Sequence, residues 1–520
     1  MSETANLRNE VHFSNRVIRC FADRPASLNA KLEAIFSTRA DHVALVDEHR
    51  RLTYRALDER IRAAASLFWS RGVRAGDRVV AVIPNRAEFV VAVFAAFRIG
   101  AVPVPVNIRE AAPEIAYIMK DSGASGLVYD PACDAAAAVA DGLASPIWSS
   151  TIAELWNAPG SDEHASPEKR AEDATVCIVY TSGTTGLPKG AMLSDLGVLH
   201  SMMHYEYHLG LSADDTAVLV VPATHITGLI GLIMASLGVG AKLVMQERFD
   251  TAEFLRTAVR EAMSYTIMVP AMYNLILLRE DLSAHSLSSW RIAAYGGSVM
   301  PQDSIETLAR LVPGLNLVNA YGATETTSPT SLMPLGSDPS RFATVGRPVA
   351  CAEVLIMDDD GHECSAGTMG EIWIRGPMTV SGYWNRPAEN TSDFTAGFWR
   401  SGDIGELTRD GYLKIFDRKK DLVNRGGYKI FSAEVESILI KHPDVVEVAV
   451  VGRPDPILGE RVHAFVSTQR SDLSTDKLRE YCARELADYK IPETFTFMTA
   501  SLPRNANGKL MKRDLKGFVG

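Results

Sequence analysis

Short apolar runs alternate along the chain with longer segments in which hydrophobic and polar positions recur at helical spacing. The run DRVVAVIP (77–84) precedes the helical pattern of AEFVVAVFAAFRIG (87–100), then AVPVPVN follows, and similar pairs recur at 216–243 and 264–280. Consecutive apolar positions are typical of strands buried on both faces, so largely parallel sheets covered by helices are predicted. The pattern therefore predicts an α/β fold.

One uncharged stretch has the length of a membrane span. From Ala217 to Ala241 there is no Asp, Glu, Lys or Arg, and such a length can cross a bilayer. Pro222, His225 and four glycines interrupt it, however. A buried strand, AVLVVP, followed by a loop and an apolar helix, GLIGLIMASLG, is favoured over a transmembrane segment.

The pattern changes near residue 351. CAEVLIMDDDGHE and GEIWIRG predict strands joined by turns, and the charged segment FDRKKDLVNRGGYKI (416–430) follows. EVAVVGRPD, RVHAFVS and a helix around DKLREYCAREL then predict a small α+β unit. We therefore predict an N-terminal domain at 1–416, a hinge at 417–420 and a C-terminal domain at 421–520, although the length allows about three domain-sized units.

Composition and charge narrow the function classes. The chain is 47% hydrophobic and 22% charged with a formal net charge of -10, and no stretch combines clustered basic residues with aromatics, which disfavours nucleic acid as a partner. Six cysteines are scattered without a C-x-x-C pair, as is typical of free thiols in a reducing compartment. The start, MSETANLRNE, lacks a secretory signal, so a cytoplasmic protein is predicted.

The segment YTSGTTGLPKGAMLS (180–194) is the strongest candidate for binding an anion. Its glycines let the backbone approach a phosphate, its hydroxyls are neutral donors and Lys189 supplies a positive charge. It follows the apolar strand TVCIVY, and loops that leave such strands commonly bind ligands in α/β sheets. It is not a Walker A loop. Counted from Gly183, Pro188 stands where that motif requires glycine, and Gly190 stands where it requires Ser or Thr. A flexible surface loop is the ordinary alternative.

Signatures of other chemistry are incomplete. GGSVM (296–300) has Met300 where a nucleophile elbow needs glycine. His362 and Glu363 lack the second histidine of a zincin helix, and the twelve histidines show no metal-ligand spacing. The sequence therefore disfavours a hydrolase or a metalloenzyme.

Five segments in a fixed order resemble the motifs of the adenylate-forming (AMP-binding) superfamily. They are YTSGTTGLPKGAMLS, NAYGATE (319–325), GEIWIRGPMTVSGYW (370–384), WRSGDIGELTRDGYLKIFDRKKDLV (399–423) and PRNANGKLMKRDL (503–515). The superfamily includes acyl-CoA synthetases, luciferases and peptide-synthetase adenylation domains, and the resemblance runs from about residue 40 to the C-terminus. It implies a large N-terminal domain of parallel-rich sheets with a distorted β-barrel, and a small mobile α+β C-terminal domain, with the site between them.

The resemblance also implies a reaction in two halves. A small-molecule carboxylate attacks the α-phosphorus of ATP bound with Mg²⁺ and gives an acyl-adenylate and pyrophosphate. A thiol, usually of coenzyme A, then displaces AMP and forms a thioester. Because AMP leaves readily, catalysis requires positioning and charge stabilisation more than covalent chemistry.

The matching positions carry the implied nucleotide contacts. The clamp on the β- and γ-phosphates corresponds to Thr181, Ser182, Gly183, Thr184, Thr185 and Lys189. The other implied ATP contacts are Gly297 beside adenine, Asn319, Tyr321 and Gly322 in the adenine segment, Thr324 at the α-phosphate, Asp403 and Arg418 at the ribose, and Lys509. Glu325 matches the magnesium carboxylate, in keeping with the oxygen ligands that this ion prefers.

The resemblance implies that Lys509, His225, Thr324 and Glu325 are catalytic, with His225 beside the acyl carboxylate. The implied acyl pocket comprises His225, Ile226, Gly228, Leu229, Gly296, Ser298 and Val299. Gly426 and Gly427 match the loop that meets the thiol after a rotation about Lys420. Taken singly, several of these residues have ordinary structural alternatives: a core histidine for His225, a turn cap for Asp403 and a surface charge for Arg418.

Three classes of function stay open. They are a stand-alone acyl- or aryl-CoA ligase, an adenylation enzyme that loads a carrier-protein phosphopantetheine, and a non-catalytic relative, with luciferase-like oxygenation as a further option. The presence of Lys189, Glu325, Asp403 and Lys509 argues against a non-catalytic relative, and the lack of an appended carrier domain favours the ligase. Oligomeric state is open, with a homodimer as one option.

The residue after His225 bears on the substrate. Amino-acid-activating relatives carry Asp at that position, where it pairs with the substrate ammonium, whereas this chain has Ile226. An ammonium group placed against isoleucine loses water without gaining a partner. We therefore predict a fatty or aromatic acid without an α-amine, of medium chain length if it is a fatty acid.

Overall fold

In the computed structural model, strands and helices follow the apolar pattern throughout the described residues, which are 5–160, 169–181, 187–470, 472–504 and 510–518. The strands are β1 (Leu7–His12), β2 (Arg16–Phe21), β3 (Val43–Val46), β4 (Arg51–Thr53), β5 (Arg78–Val82), β6 (Val102–Pro105), β7 (Gly126–Tyr129), β8 (Trp148–Thr151), β9 (Thr175–Thr181), β10 (Lys189–Ser194), β11 (Thr216–Leu219), β12 (Lys242–Met245), β13 (Tyr265–Met268), β14 (Ile292–Tyr295), β15 (Asn316–Tyr321), β16 (Ser331–Leu332), β17 (Arg347–Pro348), β18 (Glu353–Met357), β19 (Gly370–Arg375), β20 (Phe394–Thr395), β21 (Phe398–Leu407), β22 (Leu413–Arg418), β23 (Val423–Arg425), β24 (Tyr428–Ile430), β25 (Glu447–Asp455), β26 (Gly459–Ser467) and β27 (Thr494–Met498).

The helices lie between these strands. The α-helices are α1 (Leu28–Thr38), α2 (Tyr54–Ser70), α3 (Ala87–Arg98), α4 (Ala112–Ser122), α5 (Asp134–Asp141), α6 (Ile152–Trp156), α7 (Asp195–Leu209), α8 (Ala235–Leu237), α9 (Thr251–Arg260), α10 (Pro270–Arg279), α11 (Gln302–Leu311), α12 (Pro387–Asp393), α13 (Ser432–Leu439), α14 (Thr475–Cys482) and α15 (Lys512–Lys516). Thr227–Met234 is a π-helix, and short 3₁₀ turns occur at Leu282–Ala284, Thr324–Thr326, Pro339–Arg341 and Asp488–Lys490.

The chain divides into two compact units rather than the three that its length allows. The first comprises Met1–Val354, Ile374–Trp399 and Gly411–Leu413, and the second comprises Leu355–Trp373, Arg400–Asp410 and Lys414–Gly520. These units do not coincide with the predicted limits at 416 and 421. The hinge at 417–420 stays a prediction, because it concerns a movement.

Two parallel-rich sheets form the frame of the first unit. The order β6-β5-β7-β8 is parallel throughout. In the nine-stranded sheet β17-β16-β15-β14-β13-β11-β12-β3-β4, the strands from β15 to β3 are parallel and the edge strands are antiparallel. The carboxyl ends of parallel strands share one edge, where α/β sheets commonly bind ligands.

The long apolar segments fill the core of this unit. Every residue of α3 is buried, as is most of the uncharged stretch after β11, where Gly228–Met234 of the π-helix are all buried. None of the helices in the described ranges combines the length and apolar character needed to span a lipid bilayer. The prediction of a buried strand and helix at 217–241 is thereby confirmed.

The strand before the predicted phosphate segment pairs differently from the expectation. TVCIVY forms most of β9, as predicted, but β9 and β10 make a two-stranded antiparallel sheet with Lys189 opposite Thr181. The segment between them therefore connects two antiparallel neighbours instead of leaving a parallel sheet. The two strands are joined by a short connection, and short connections favour antiparallel pairing.

The C-terminal part of the chain has the predicted α+β character. Strands β18 to β22 form a curled five-stranded sheet, ordered β18-β19-β21-β20 with β22 beside β21. The last sheet is ordered β24-β23-β26-β25, with β27 parallel to β26. Its core packs Val423, Leu439, Val450 and Val462 together with Leu478 of α14. All six cysteines are free thiols, as predicted.

Candidate active site

The parallel strands bring several predicted site residues to one edge of the nine-stranded sheet. Strand β14 leads into Gly296 and Gly297, and its neighbour β15 leads into Gly322 and Thr324. The two strand ends lie so close that a Cβ atom at Gly296 would be 2.4 Å from the carbonyl oxygen of Ala320. Glycine at 296 is therefore required for the glycine-rich loop to lie against the predicted adenine segment.

A cluster centred on the buried Tyr383 and Glu325 joins the predicted magnesium carboxylate to the predicted phosphate lysine. The Tyr383 hydroxyl donates a 2.9 Å hydrogen bond to Oε1 of Glu325. The Nζ atom of Lys189 lies 4.1 Å from the centre of the Tyr383 ring and 2.9 Å from Oδ2 of Asp393. The Glu325 carboxylate thus contacts the hydroxyl of Tyr383, and the Lys189 ammonium group lies over the face of the same ring. The second contact is a favourable cation–π arrangement.

Burial, followed by the negative charge of Glu325, raises the pKa of Tyr383. The hydroxyl therefore stays protonated at neutral pH and keeps donating to the carboxylate. Because Tyr383 is itself only 2% exposed, this hydrogen bond fixes the orientation of the Glu325 side chain.

Backbone pairing explains how Tyr383 reaches Lys189 from so far along the chain. The amide of Met192 donates to Gly382 at 3.0 Å, and the amide of Trp384 donates to the carbonyl of Gly190 at 2.7 Å. The segment 382–384 therefore runs alongside β10. Tyr383 lies within the motif GEIWIRGPMTVSGYW, which implies no role for it, and Asp393 lies between that motif and the next, where no motif points to it.

The residues around Glu325 suit a magnesium ion. Thr324 and Glu325 are both buried and begin a 3₁₀ turn. One oxygen of Glu325 accepts from Tyr383, and a carboxylate has a second oxygen of the hard, anionic type that Mg²⁺ prefers. Glu325 would therefore hold the ion, with Tyr383 orienting it, as ligating carboxylates are commonly held by a hydrogen bond from behind.

The predicted acyl residues fall into a buried group and an exposed group. Ile226 and Leu229 are 3% and 1% exposed, and the amide of Thr227 donates to Nδ1 of His225 at 3.3 Å. A Cβ atom at Gly228 would lie 2.3 Å from the carbonyl oxygen of Pro222, so the π-helix packs directly on the strand-end loop. Ser298 and Val299 are exposed, and their place in an acyl pocket stays a prediction.

In the second unit, the two residues predicted to contact ribose form an ion pair. Nε of Arg418 lies 3.1 Å from Oδ1 of Asp403, whose carboxylate is buried. The amide of Asp403 donates to the hydroxyl of Ser401 at 3.0 Å. The backbone of Asp403 is thus fixed by Ser401, and its carboxylate is fixed by Arg418. Contact of these residues with ribose stays a prediction.

The predicted hinge and thiol-loop residues lie in the same unit. Lys420 falls between β22 and β23, and burial, followed by the charge of Arg418, lowers its pKa. Gly426 and Gly427 have φ values of 58° and 91°, in the left-handed region that favours glycine, and they form the turn between β23 and β24. The roles of Lys420, Gly426 and Gly427 in hinge movement and thiol binding stay predictions.

Some predicted site residues lie outside the described residues. They are Ser182, Gly183, Thr184, Thr185 and Lys509. Their proposed roles stay predictions. Of the phosphate segment, the structure places Thr181 and Lys189, which face each other across the β9–β10 pair.

The structure therefore combines an α/β fold with a cluster in which a carboxylate, a tyrosine and a lysine lie together. The family model of AMP-binding enzymes matches residues 32–384, and that of the AMP-binding enzyme C-terminal domain matches residues 434–509. The chain therefore belongs to the AMP-binding enzyme family, and the resemblance stated from the motifs is confirmed.

Curated relatives and solved structures agree with this membership. The chain is 33% identical over 474 residues to the long-chain-fatty-acid–CoA ligase FadD13 of Mycobacterium tuberculosis, covering 90% of this chain and 93% of that protein. It is 31% identical over 476 residues to a feruloyl-CoA synthase of Amycolatopsis sp., covering 90% and 94%. The o-succinylbenzoate CoA synthetase MenE of Bacillus subtilis, solved with the acyl-adenylate OSB-AMP, has a TM-score of 0.86 at 30% identity over 94% of this chain and 97% of that chain.

Proposed function

We propose that this protein is an AMP-forming acid–CoA ligase that activates a carboxylic acid with ATP and transfers the acyl group to coenzyme A. The observation that carries the proposal is the cluster of Glu325, Tyr383 and Lys189, in which a carboxylate suited to a cation and a lysine suited to phosphate contact the same tyrosine. The relatives named above support the choice of coenzyme A, because they are CoA ligases and synthetases.

In the first half-reaction, an oxygen of the substrate carboxylate bonds to the α-phosphorus of ATP. The bond between that phosphorus and the bridging oxygen breaks, and pyrophosphate leaves with the electron pair. Lys189 would stabilise charge on the departing phosphates, and Mg²⁺, when bound, would neutralise further negative charge. Lys189 pairs with Asp393, so a triphosphate would compete with this single carboxylate through its higher charge.

In the second half-reaction, the thiol of coenzyme A attacks the acyl carbonyl and AMP leaves. His225 follows the strand-end loop after β11, where the family resemblance places it beside the acyl carboxylate. Its Nδ1 accepts from the amide of Thr227 at 3.3 Å, which leaves Nε2 as the ring nitrogen that could meet a substrate oxygen. We infer that Nε2 of His225 orients the substrate carboxylate before it is adenylated.

A panel of carboxylic acids tests the proposal. Fatty and aromatic acids are incubated with Mg-ATP, and pyrophosphate, AMP and thioester are measured with and without coenzyme A. We expect acid-dependent pyrophosphate release and thioester formation that requires coenzyme A. Thioester formation on a phosphopantetheinylated carrier protein, with none on coenzyme A, would instead favour the carrier-loading alternative.

Matched acid pairs test the prediction that α-amines are rejected. Octanoate and 2-aminooctanoate, or 3-phenylpropanoate and phenylalanine, differ by one ammonium group. Because Ile226 is buried and cannot pair with a cation, we expect kcat/KM for adenylation to fall by about a hundredfold or more for each amino acid. An amino acid that drives ATP–pyrophosphate exchange better than its unsubstituted partner would contradict this prediction.

Replacing Tyr383 by Phe tests the support of the magnesium carboxylate. The ring over Lys189 is kept, while the hydrogen bond to Glu325 is lost. We expect the Mg²⁺ concentration for half-maximal adenylation, measured at fixed ATP, to rise by about tenfold, because hydrogen bonds behind metal ligands contribute that order of affinity. Tyr54→Phe is the matched control, since Tyr54 is a buried tyrosine whose hydroxyl donates to Ala241 at 2.7 Å. An equal magnesium requirement in Tyr383→Phe and wild type would contradict the assigned support.

A further inference from the structure

Asp121 lies on α4, outside all of the motifs that define the family resemblance. Its side chain is 12% exposed. The Tyr180 hydroxyl donates to Oδ2 at 2.6 Å, and a guanidinium nitrogen of Arg386 donates to Oδ1 at 2.7 Å. Both carboxylate oxygens are thus engaged by groups that come from distant parts of the chain.

Tyr117, one helical turn before Asp121, extends the contact to β10. Its hydroxyl donates to the carbonyl of Pro188 at 3.3 Å and also accepts a hydrogen bond from Arg386. Tyr180 and Pro188 immediately precede Thr181 and Lys189, which face each other across the β9–β10 pair. Helix α4 therefore contacts the direct neighbour of each described residue in the predicted phosphate clamp.

The backbone of Asp121 makes a third connection. Its carbonyl accepts hydrogen bonds from Nε1 of Trp384 at 3.1 Å and from the side-chain amide of Asn385 at 3.4 Å. Trp384 follows Tyr383, which contacts Glu325 and Lys189. Asp121 thus contacts the residues next to Thr181 and to Tyr383 directly, and it reaches β10 through Trp384, whose amide donates to the carbonyl of Gly190.

We propose that Asp121 is a positioning residue for nucleotide binding, which fixes β9, β10 and the 383–386 segment so that Lys189, Thr181 and Tyr383 are preorganised for the triphosphate. The inference rests on the proposed function and adds to it a residue that does not touch the substrate. Hydrogen bonds between charged groups are the stronger ones, and the Arg386 side chain is only 21% exposed. Losing the Asp121 charge would leave a largely buried cation without its partner.

The alternative is that this cluster stabilises the fold without affecting the site. Asp215 provides the comparison, because its buried carboxylate also pairs with an arginine and a hydroxyl: Arg291 at 2.9 and 2.7 Å and Ser264 at 2.6 Å. Asp215 directly precedes β11, at the amino end of the parallel strands. A variant at Asp215 therefore removes similar interactions at the end of the sheet opposite to the site.

The experiment compares Asp121→Asn with Asp215→Asn. The dissociation constant of Mg-ATP is measured by titration calorimetry without any acid, and KM for ATP and for the acid is measured by pyrophosphate release. We expect Asp121→Asn to weaken ATP binding by about tenfold, the order expected when a charge-assisted hydrogen bond is lost. KM for the acid should change by less than about twofold, because the substitution weakens the binding of nucleotide and leaves the contacts of the acyl group in place. Asp215→Asn should leave both values unchanged.

Wild-type ATP affinity in a folded Asp121→Asn protein would overturn the inference, whatever its melting temperature. If Asp121→Asn does not fold, Tyr180→Phe decides in the same way, because it removes one hydrogen bond and keeps the ring: weaker ATP binding supports the inference and unchanged binding overturns it. Since ATP binding is measured without acid, a wild-type protein that converts no acid would refute the proposed function and leave this readout intact.

Discussion

Lys509→Ala is expected to reduce acyl-adenylate formation by several powers of ten while sparing the conversion of a supplied acyl-adenylate to thioester. The family resemblance places this lysine at the forming bond between the carboxylate and the α-phosphorus, and the C-terminal family model matches up to residue 509. Removing a preorganised charge that acts on the transition state costs about two to three powers of ten or more. The measurement is single-turnover pyrophosphate release, compared with thioester formation from synthetic acyl-AMP.

The assignment requires that Lys509→Ala loses acyl-adenylate formation and keeps thioester formation. Lys477→Ala is the control, since Lys477 is an exposed lysine of the same unit with a side chain that is 57% exposed. Equal loss of both half-reactions in Lys509→Ala would indicate general damage to the C-terminal unit and would remove the proposed role.

Much of the fold follows from local pattern. The succession of β5, α3 and β6 is confirmed because a run of buried valines and a fully buried helix leave few alternatives in a short stretch. The same is true of β13 and α10, where Pro270 occupies the first turn of the helix and therefore marks its start. Local pattern therefore determines an element where burial is continuous, as in α3, or where a proline marks its start, as in α10.

Pairing between distant segments could not be predicted in this way. The sequence shows that β9 is apolar, but its antiparallel partner is chosen by tertiary packing. Tyr383 and Asp393 reach Lys189 only because the segment 382–384 pairs with β10. Asp121 is a polar residue near the end of a helix and looks like a solvated charge until Tyr180 and Arg386 are placed around it.

The motifs name Thr324 and Glu325, and the structure places both just after β15, the parallel neighbour of the strand that leads into the glycine-rich loop. Their roles stay predictions. The residues that orient those groups carry no signal of their own, because a supporting hydrogen bond can come from any part of the chain. The supporting contacts of the site therefore cannot be predicted from local sequence.

Lys420→Pro is expected to spare pyrophosphate release in the first turnover and to block thioester formation. One site cannot hold Lys509 and an incoming thiol at the same time, so the resemblance implies a rotation about 417–420 between the half-reactions. Proline fixes φ near −65° and also restricts the preceding residue, here Lys419, whose amide donates to Gly402 at 2.8 Å. The substitution therefore removes backbone freedom at the predicted hinge.

Lys420→Ala separates the backbone effect from loss of the side chain. Lys420 is partly buried beside Arg418, and its carbonyl accepts from Nζ of Lys516 at 3.3 Å, an interaction that alanine preserves. If rotation is the requirement, Lys420→Ala forms thioester at close to the wild-type rate, whereas Lys420→Pro accumulates acyl-AMP that quenched-flow analysis detects. Thioester turnover at the wild-type rate in Lys420→Pro would place the hinge elsewhere in the chain, because a fixed φ at the pivot cannot permit the rotation that brings Gly426 and Gly427 to the thiol.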